Sequence, residues 1–288
     1  MTRGYRIAAL FSLASAACST VAVEPVGTKA AKLTSTSVSG VTSGKGFVLQ
    51  PSAAPIVLTN PTDSRDPQSG FVRHRGSDGA VTLFNNGSTL GSLNRDSPAN
   101  LAFPFDGSVD EHNAKVENYF VSAGIPRDQI LAMHANAKFT GGGQLGGRES
   151  PIFRSYSTIL SRSIRGILVI DSVAWAQLNN KREFVALSVY WPEIPQSVVD
   201  DALALLTTAQ NPVAMASYRS KLPADMPTGR VVIRHTSSGS ISAKSFIAKA
   251  SYDVTVGSMG TAIDHHFDSD GVEFRLPEEL VASSSTPK

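Results

Sequence analysis

Residues 156–192 read YSTILSRSIRGILVIDSVAWAQLNNKREFVALSVYWP, the longest run of β-favouring residues in the chain. Val, Ile and aromatic residues dominate residues 164–178 and 183–191, and the polar cluster 179–182 between them has the length of a hairpin loop. The stretch therefore predicts two antiparallel strands. Gly166 predicts a bend or bulge that divides residues 156–165 from 167–178, which makes a third strand.

The last of these strands has two apolar faces, which favours a central position in a sheet. Val185, Leu187, Val189 and Trp191 alternate on one face, and Pro192 ends the strand because proline has no N–H for the ladder. Trp175, Tyr190 and Trp191 could form an aromatic binding surface. Their apolar neighbours favour packing in the core.

The first eighteen residues have the layout of a secretory signal, with Arg3 and Arg6 before an apolar run at 7–13. Ala16, Ala17 and Cys18 then resemble the end of a bacterial lipoprotein signal, and the resemblance implies a lipid on Cys18. The alternative is ordinary cleavage near Ala16 or Ala17. Either reading predicts export, and a single cysteine excludes an internal disulfide.

Charge argues against a nucleic-acid partner. Of the 26 Lys and Arg residues two lie in the signal segment, which leaves 24 against 24 Asp and Glu. A neutral chain without a dense basic run lacks the electrostatic footprint of a nucleic-acid binder. The expected location is the cell envelope, with a lipid anchor on the outer membrane or the periplasmic face, or otherwise the secreted fraction.

Residues 19–46 are rich in Ser, Thr, Val, Ala and Gly, which is typical of a disordered tether. Residues 47–107 then form a small β-rich region. Its short apolar runs at 47–49, 56–58, 71–73, 81–84 and 89–93 predict strands, and Asn86 with Gly87 predicts a type I′ hairpin turn.

Two helix-plus-sheet units follow, at 108–192 and 193–281. Ser108 and Glu111 have capping-box spacing, so a helix should begin there. Its apolar face holds Val116, Tyr119, Phe120 and Ala123, and Gly124 with Pro126 should end it. Residues 130–140 predict a strand and 141–150 a loop.

The second unit begins with a helix marked by Val198, Ala202, Leu205 and Leu206, and Asn211-Pro212 predicts a third helix. Strands are expected at 231–235, 246–256, 262–267 and 272–276, and a frayed tail at 282–288. This order indicates an α+β fold, with antiparallel sheet and helices packed on one face. The order also allows an internal duplication of the helix-plus-sheet unit.

Residues 108–192 resemble the PepSY and FTP propeptide-type modules of secreted bacterial proteases. The resemblance rests on Tyr156, on Gly166-Ile167-Leu168-Val169 and on the strands through Trp191. That resemblance implies a cystatin-like fold, in which one helix lies across an antiparallel sheet. It also implies a binding or inhibitory module without catalytic residues, and a secreted protease as a partner.

A glycine-rich segment at 141–146, GGGQLG, has the spacing GxGxxG. A dinucleotide site also needs a helix that opens at the last glycine and presents its N–H groups to the pyrophosphate. Gly147-Arg148-Glu149-Ser150-Pro151 follows instead, so the segment predicts a loop, and no nucleotide or other cofactor is expected.

The most ligand-like run contains Asp264, His265, His266, Asp268 and Asp270. Adjacent histidines on a strand point to opposite faces, and residues 268–271 are typical of a turn, so no metal site is expected.

The remaining histidines, His74, His112, His134 and His235, are expected to be surface or hydrogen-bonded residues. The chain has no HExxH, GxSxG or P-loop motif, and SxxK occurs only between Ser285 and Lys288. A catalytic triad assembled only in space stays open at this point.

The sequence thus favours a non-catalytic binding, inhibitory or structural module of the cell envelope, with no catalytic, cofactor-binding or metal-binding residues assigned. The alternative is a metal-dependent secreted hydrolase that uses the region from Asp264 to Asp270.

Overall fold

The computed structural model describes residues 46–65, 71–85, 87–92, 105–140, 152–236, 246–258 and 261–276. Its helices are α1 (Val109–Ser122), α2 (Gln196–Gln210) and α3 (Pro212–Arg219). Its strands are β1 (Gly46–Phe47), β2 (Thr62–Arg65), β3 (Val72–Arg75), β4 (Val81–Asn85), β5 (Ser88–Ser92), β6 (Ile130–Thr140), β7 (Ile152–Ile164), β8 (Ile167–Leu178), β9 (Phe184–Pro192), β10 (Arg230–His235), β11 (Ala248–Val256) and β12 (Ile263–Phe267). Short 3₁₀ turns lie at Pro51–Ala53 and Arg127–Gln129. No helix among the described residues is long and apolar enough to cross a membrane.

The predicted three-stranded core is confirmed as β7, β8 and β9, which pair antiparallel in chain order. Arg165 and Gly166 both have positive φ and make a two-residue turn between β7 and β8. Asn179 organises the next turn, because its Oδ1 accepts from the N–H groups of Lys181 and Glu183 at 2.9 and 3.0 Å.

β8 is the hub of the sheet, since it pairs with three strands. β7 runs along one edge of β8, while β10 and β9 follow one another along the other. The β10 pairing is parallel and short, through Leu168 and Val169, and every other pairing between described strands is antiparallel. The α+β class with a mostly antiparallel sheet is therefore confirmed.

The β-rich region joins this sheet through β5, which pairs with β9 and makes β9 a central strand as predicted. The hairpin predicted at residues 86–87 joins β4 to β5, where Asn85 pairs with Ser88 and Gly87 has φ 77°. Asn86 itself lies outside the described residues.

In this region one predicted strand is absent and one observed strand was not predicted. Residues 56–58 form no strand. They lie in a loop, and Ile56 is apolar because its side chain is buried in the core. The polar β2 was missed because its four residues are all exposed and carry no apolar pattern.

Helix α1 begins as predicted, with Ser108 Oγ accepting from the Glu111 N–H at 3.1 Å. Its buried face packs over β6, β7 and β8 in a core of 15 buried residues that includes Leu49, Phe120, Leu160 and Trp191. This core is continuous with the β-rich region through Phe84 and Ile56.

Helix α2 covers β10 and β11, and α3 is capped by Asn211, whose Oδ1 accepts from the N–H groups of Val213 and Ala214. Leu160 on β7 belongs to the α1 core, and Ile164 on the same strand packs against the α2 core. The two residues are four positions apart, so their side chains lie on the same side of the sheet. Both helices therefore lie on one face of the sheet.

The strand predicted at residues 272–276 was wrong, since the structure has only an isolated bridge between Phe267 and Glu273. Asp268 and Gly271 turn the chain there, and Phe274 and Leu276 are buried.

Candidate functional site: a buried junction and an open sheet face

A bulge in β8 brings together residues that are far apart in the chain. The pairing with β7 jumps from Val173 to Val169, and Asp171 adopts a left-handed φ of 69°. Ser172 is thereby placed with its Oγ 2.8 Å from Nε2 of His235 on β10. The bulge lies at the point where the partner of β8 changes from β10 to β9.

The tautomer of His235 follows from its neighbours. Nδ1 contacts the carbonyl oxygen of Thr236 at 2.9 Å and must donate to it, so Nε2 is the acceptor of the Ser172 hydroxyl proton. Burial lowers the pKa of His235 to about 4, the hydrogen bond to Thr236 opposes this shift, and the positive charge of Arg162 adds to it. His235 is thus a neutral ring at physiological pH.

Arg162 on β7 also contacts Ser172, and we call Arg162, Ser172 and His235 the buried junction. The Arg162 guanidinium donates to Gln129 Oε1 at 2.9 Å, to the Pro192 carbonyl at 2.7 Å and to Ser172 Oγ at 3.2 Å, and it lies over the Trp191 ring. Burial lowers its pKa to about 10, which leaves it protonated at neutral pH.

A serine that donates to an acceptor nitrogen of histidine is the arrangement of a nucleophile and its base. Here Ser172 is only 5% exposed and His235 is fully buried. The serine oxygen also accepts from Arg162, and a histidine with a pKa near 4 is a weak base. The contacts instead tie β7, β8 and β10 together.

The histidines of the predicted ligand run separate as expected, because they occupy opposite faces of β12. His265 Nδ1 lies 2.8 Å from Glu273 Oε1, and His266 Nδ1 lies 3.0 Å from Asp253 Oδ1. Asp268 accepts from the N–H groups of Asp270 and Val272, which is the predicted turn. The structure does not bring these side chains into one site.

Asp253 is the centre of a second buried polar cluster. It also accepts from Arg234 at 2.9 Å and from Ser251 at 2.6 Å. Burial alone would raise the pKa of the Asp253 carboxyl, but the hydrogen bonds from His266 and Ser251 and the charge of Arg234 outweigh it and hold this pKa below its ordinary value. Within the described ranges no three His, Cys, Asp or Glu side chains form a group that could hold a metal.

The sheet face opposite α1 carries mostly half-buried side chains and has no described helix over it. Residues paired across neighbouring strands share a face, so one row can be followed through seven strands. From β3 to β6 the row consists of Arg73, Leu83, Leu90, Ser188, Trp175, Ile159 and His134. The three described helices lie on the other face, and we call this one the open face.

The open face has an apolar middle and a basic end. Leu83, Leu90 and Ile159 are half-buried, and the small, buried Ser188 lies between Leu90 and Trp175 in the row. In this row and the two described rows beside it, the permanently charged side chains are Arg73 and Arg75. Arg73 Nε is buried and, within the part of the chain described, has no hydrogen-bond partner.

The predicted aromatic surface divides between the two faces. Trp191 is 2% exposed in the α1 core, which confirms the packing prediction for this residue, and Tyr190 is buried against His235. Trp175 is half-buried on the open face.

Several sequence predictions lie outside the described residues. They are the signal segment with the lipid site at Cys18, the tether at 19–46 except for Gly46, the glycine-rich segment at 141–146, and the tail at 282–288 with the Ser285 to Lys288 pair.

Sequence reasoning missed Ser172 and Arg162, whereas His112 is hydrogen-bonded as expected and is also fully buried. His112 Nε2 accepts from the Leu178 N–H at 3.2 Å, and its Nδ1 donates to Thr158 Oγ1 at 2.6 Å. One signal was available, because the polar pair Asp171-Ser172 interrupts an apolar run where a bulge could be expected. Nothing in the sequence marks the partners that these residues find.

Comparison with known proteins assigns no family, since neither a family model nor a curated protein matches the chain. A crystal structure of an uncharacterised protein from Eubacterium rectale ATCC 33656 is 11% identical, covers 82% of this chain and 86% of that one, and has a TM-score of 0.41. The YpeB C-terminal domain of Bacillus megaterium is 7% identical, covers 75% of this chain and 87% of that one, and has a TM-score of 0.30. Likenesses this distant carry no argument about function.

Proposed function

We propose that the chain is an exported cell-envelope protein, held at a membrane by a lipid on Cys18, that binds another protein and catalyses no reaction. The observation that carries the proposal is the open face. It presents apolar side chains on a large sheet face without a described helix over it, and an apolar surface of this kind is typical of a binding site.

The chemistry of the open face supports a protein partner. Leu83 and Leu90 offer apolar contact, while Arg73 and Arg75 offer positive charge at one end. The positive charges of Arg73 and Arg75 favour acidic side chains on the partner. The PepSY-like resemblance of residues 108–192 adds a secreted protease as a partner and inhibition as a mode of action.

The anchoring part of the proposal is tested by membrane fractionation of the wild type and a Cys18→Ala variant. We expect the wild type in the membrane fraction and the variant in the released fraction. Equal release of both proteins would contradict the lipid anchor and leave export standing.

The binding part is tested by affinity capture from the envelope fraction with wild-type and Leu90→Arg baits. A partner that is held by the wild type and lost with Leu90→Arg supports the open face. Val213→Arg is the matched control, since Val213 is an exposed apolar residue, 81% accessible, on α3. Equal capture by all three baits would contradict the assignment of this face.

A second candidate is a serine hydrolase, favoured by the Ser172 to His235 contact at 2.8 Å. A panel of ester and peptide substrates, with Ser172→Ala as the control, separates the two candidates. Turnover that disappears in Ser172→Ala would replace the binding proposal, and turnover that is unchanged would exclude Ser172 as the nucleophile.

A further inference from the structure

The outer edge of β6 has the features of a self-association site. β6 pairs with β7 along one edge, and no other described strand pairs with it. The regular part of this pairing runs over residues 132–138, between register irregularities near Ile130 and Lys138. A strand edge of this length presents a row of backbone donors and acceptors to another chain.

Apolar side chains lie beside this edge. Leu131 is 52% exposed and Met133 is 37% exposed, and both lie on the strand that forms this edge. Natural edge strands usually carry prolines or several charges that prevent pairing, whereas β6 has no proline and one Lys, Lys138. The edge therefore combines open backbone groups with an apolar flank.

We propose that β6 pairs antiparallel with β6 of a second copy of this chain, around a two-fold axis at Ala135. Ala135 is the midpoint both of the whole strand and of its regular section. This register places Met133 opposite Ala137 of the second copy and His134 opposite Asn136.

A second copy fits because the strand is self-complementary in this register. In this register the two Lys138 positions are six residues apart along the strand, about 20 Å, so the Lys residues of β6 are not paired with each other. Met133 lies beside a small alanine, which leaves room for its side chain. In a two-fold dimer each such contact occurs twice.

The dimer belongs to the weak, concentration-dependent class, because one strand edge buries less surface than the roughly 1,000 Å² of a permanent interface. The dimer goes beyond the proposed function, since the β6 edge is distinct from the open-face residues Leu83 and Leu90, which lie several strands away. Pairing at this edge leaves these two residues uncovered by the second copy.

Sedimentation velocity over a concentration series tests the proposal, with the full chain carrying Cys18→Ala so that neither a lipid nor a thiol contributes. We expect a monomer–dimer equilibrium, and a weakening of at least tenfold in the Leu131→Lys, Met133→Lys double variant. The matched control is Val256→Lys with Ile263→Lys, because these residues are 37% and 58% exposed on the opposite edge hairpin. The control should dimerise as the parent does.

A monomer at every concentration would overturn the proposal. The β6 edge would then be a candidate for pairing with an extended segment of another protein. Equal weakening in the control would overturn the assignment to β6. Thermal melting of each variant shows whether the fold is retained, and loss of the partner captured through the open face would be a failure of the proposed function alone.

A cysteine at the two-fold axis gives an independent readout. In the Cys18→Ala background, Ala135→Cys should form a reducible intermolecular disulfide on mild oxidation, because the two thiols lie directly opposite each other. Met133→Cys should cross-link much less, since its counterpart in the second copy is Ala137. Equal cross-linking at both positions would contradict the register.

Discussion

The two halves of the sheet are stabilised in different ways. The half with α1 has one large apolar core, in which Trp191 and Phe120 are buried together with residues of the β-rich region. The half with α2 and α3 has two smaller cores, around Ile233 and around Tyr252. On the side of the sheet away from α2 and α3, this half carries the buried ion pair between Arg234 and Asp253.

This difference separates two sources of specificity. A continuous apolar core can be filled by several side-chain packings of the same total volume. A buried charged group is stable only in a packing that gives it an opposite charge and hydrogen-bond partners. The polar group in the α1 core is the neutral His112, while the other half depends on charged groups. We expect the two halves to respond differently to core truncation, pH and loss of a single hydrogen bond.

The largest expected effect is in the α1 core. Trp191→Ala should lower the free energy of unfolding by about 3–5 kcal/mol, because a fully buried ring leaves a cavity that the sheet cannot close. Urea denaturation measures the loss. Trp175→Ala is the control, since Trp175 is half-buried on the open face and should cost less. Equal losses would contradict the distinction between the covered and the open face.

The next effect is a loss of stability in acid. Burial lowers the pKa of His112 and of His235 to about 4, from an ordinary value of 6.5. The unfolded chain therefore binds protons that the folded chain excludes. Stability from these residues is complete above pH 6.5 and falls as the pH drops towards 4, by about 3 kcal/mol for each histidine.

Urea denaturation between pH 7 and pH 4.5 checks this expectation. His112→Asn should make the free energy of unfolding less dependent on pH, because it removes the buried histidine of the α1 core. His235→Asn should do the same by removing the buried histidine of the junction. The lowered pKa of Asp253 acts only below the ordinary value of 3.8 for this carboxyl, outside this range. A pH profile that is unchanged in both variants would show that other groups control the acid response.

Loss of Arg162 should be somewhat smaller, and it tests the link between the halves. Arg162→Met leaves the Pro192 carbonyl and Gln129 without their donor, which should cost roughly 2–3 kcal/mol. The control is Arg182→Met, because Arg182 pairs with Asp106 and Glu111 at the surface, where such pairs contribute below about 1 kcal/mol. Similar losses would mean that the junction adds nothing beyond a surface ion pair.

The smallest effects concern the helix caps, one in each half. Ser108→Ala removes the acceptor for the Glu111 N–H, and Asn211→Ala removes the acceptor for two N–H groups of α3. Each should cost about 1 kcal/mol. Thermal unfolding followed by circular dichroism compares them. A neutral Asn211→Ala together with a costly Ser108→Ala would show that α3 contributes little to the second half.

Local chemistry in the sequence was sufficient for most elements of the fold. Strand periodicity around Leu187 and Val189 defined β9 and its central position, and the caps at Ser108 and Asn211 defined where two helices begin. These features are encoded within a few residues, so the sequence shows them directly. The strand at 272–276 was wrong because a short apolar run there was buried without a strand partner.

The buried junction could be decided only by the tertiary structure. Ser172 and His235 are 63 positions apart, and their contact depends on a bulge in β8 and on the parallel pairing of β10. The rows of the open face likewise depend on six strand registers, from β3 to β6. Residue types and their alternation are local properties of the chain, whereas the choice of neighbouring strand depends on which contacts reduce the free energy of the whole fold. For that reason the sequence by itself determined the class, the starts of α1 and α3, and the central hairpins. The tertiary structure decided which polar groups are buried together and which face has no helix over it.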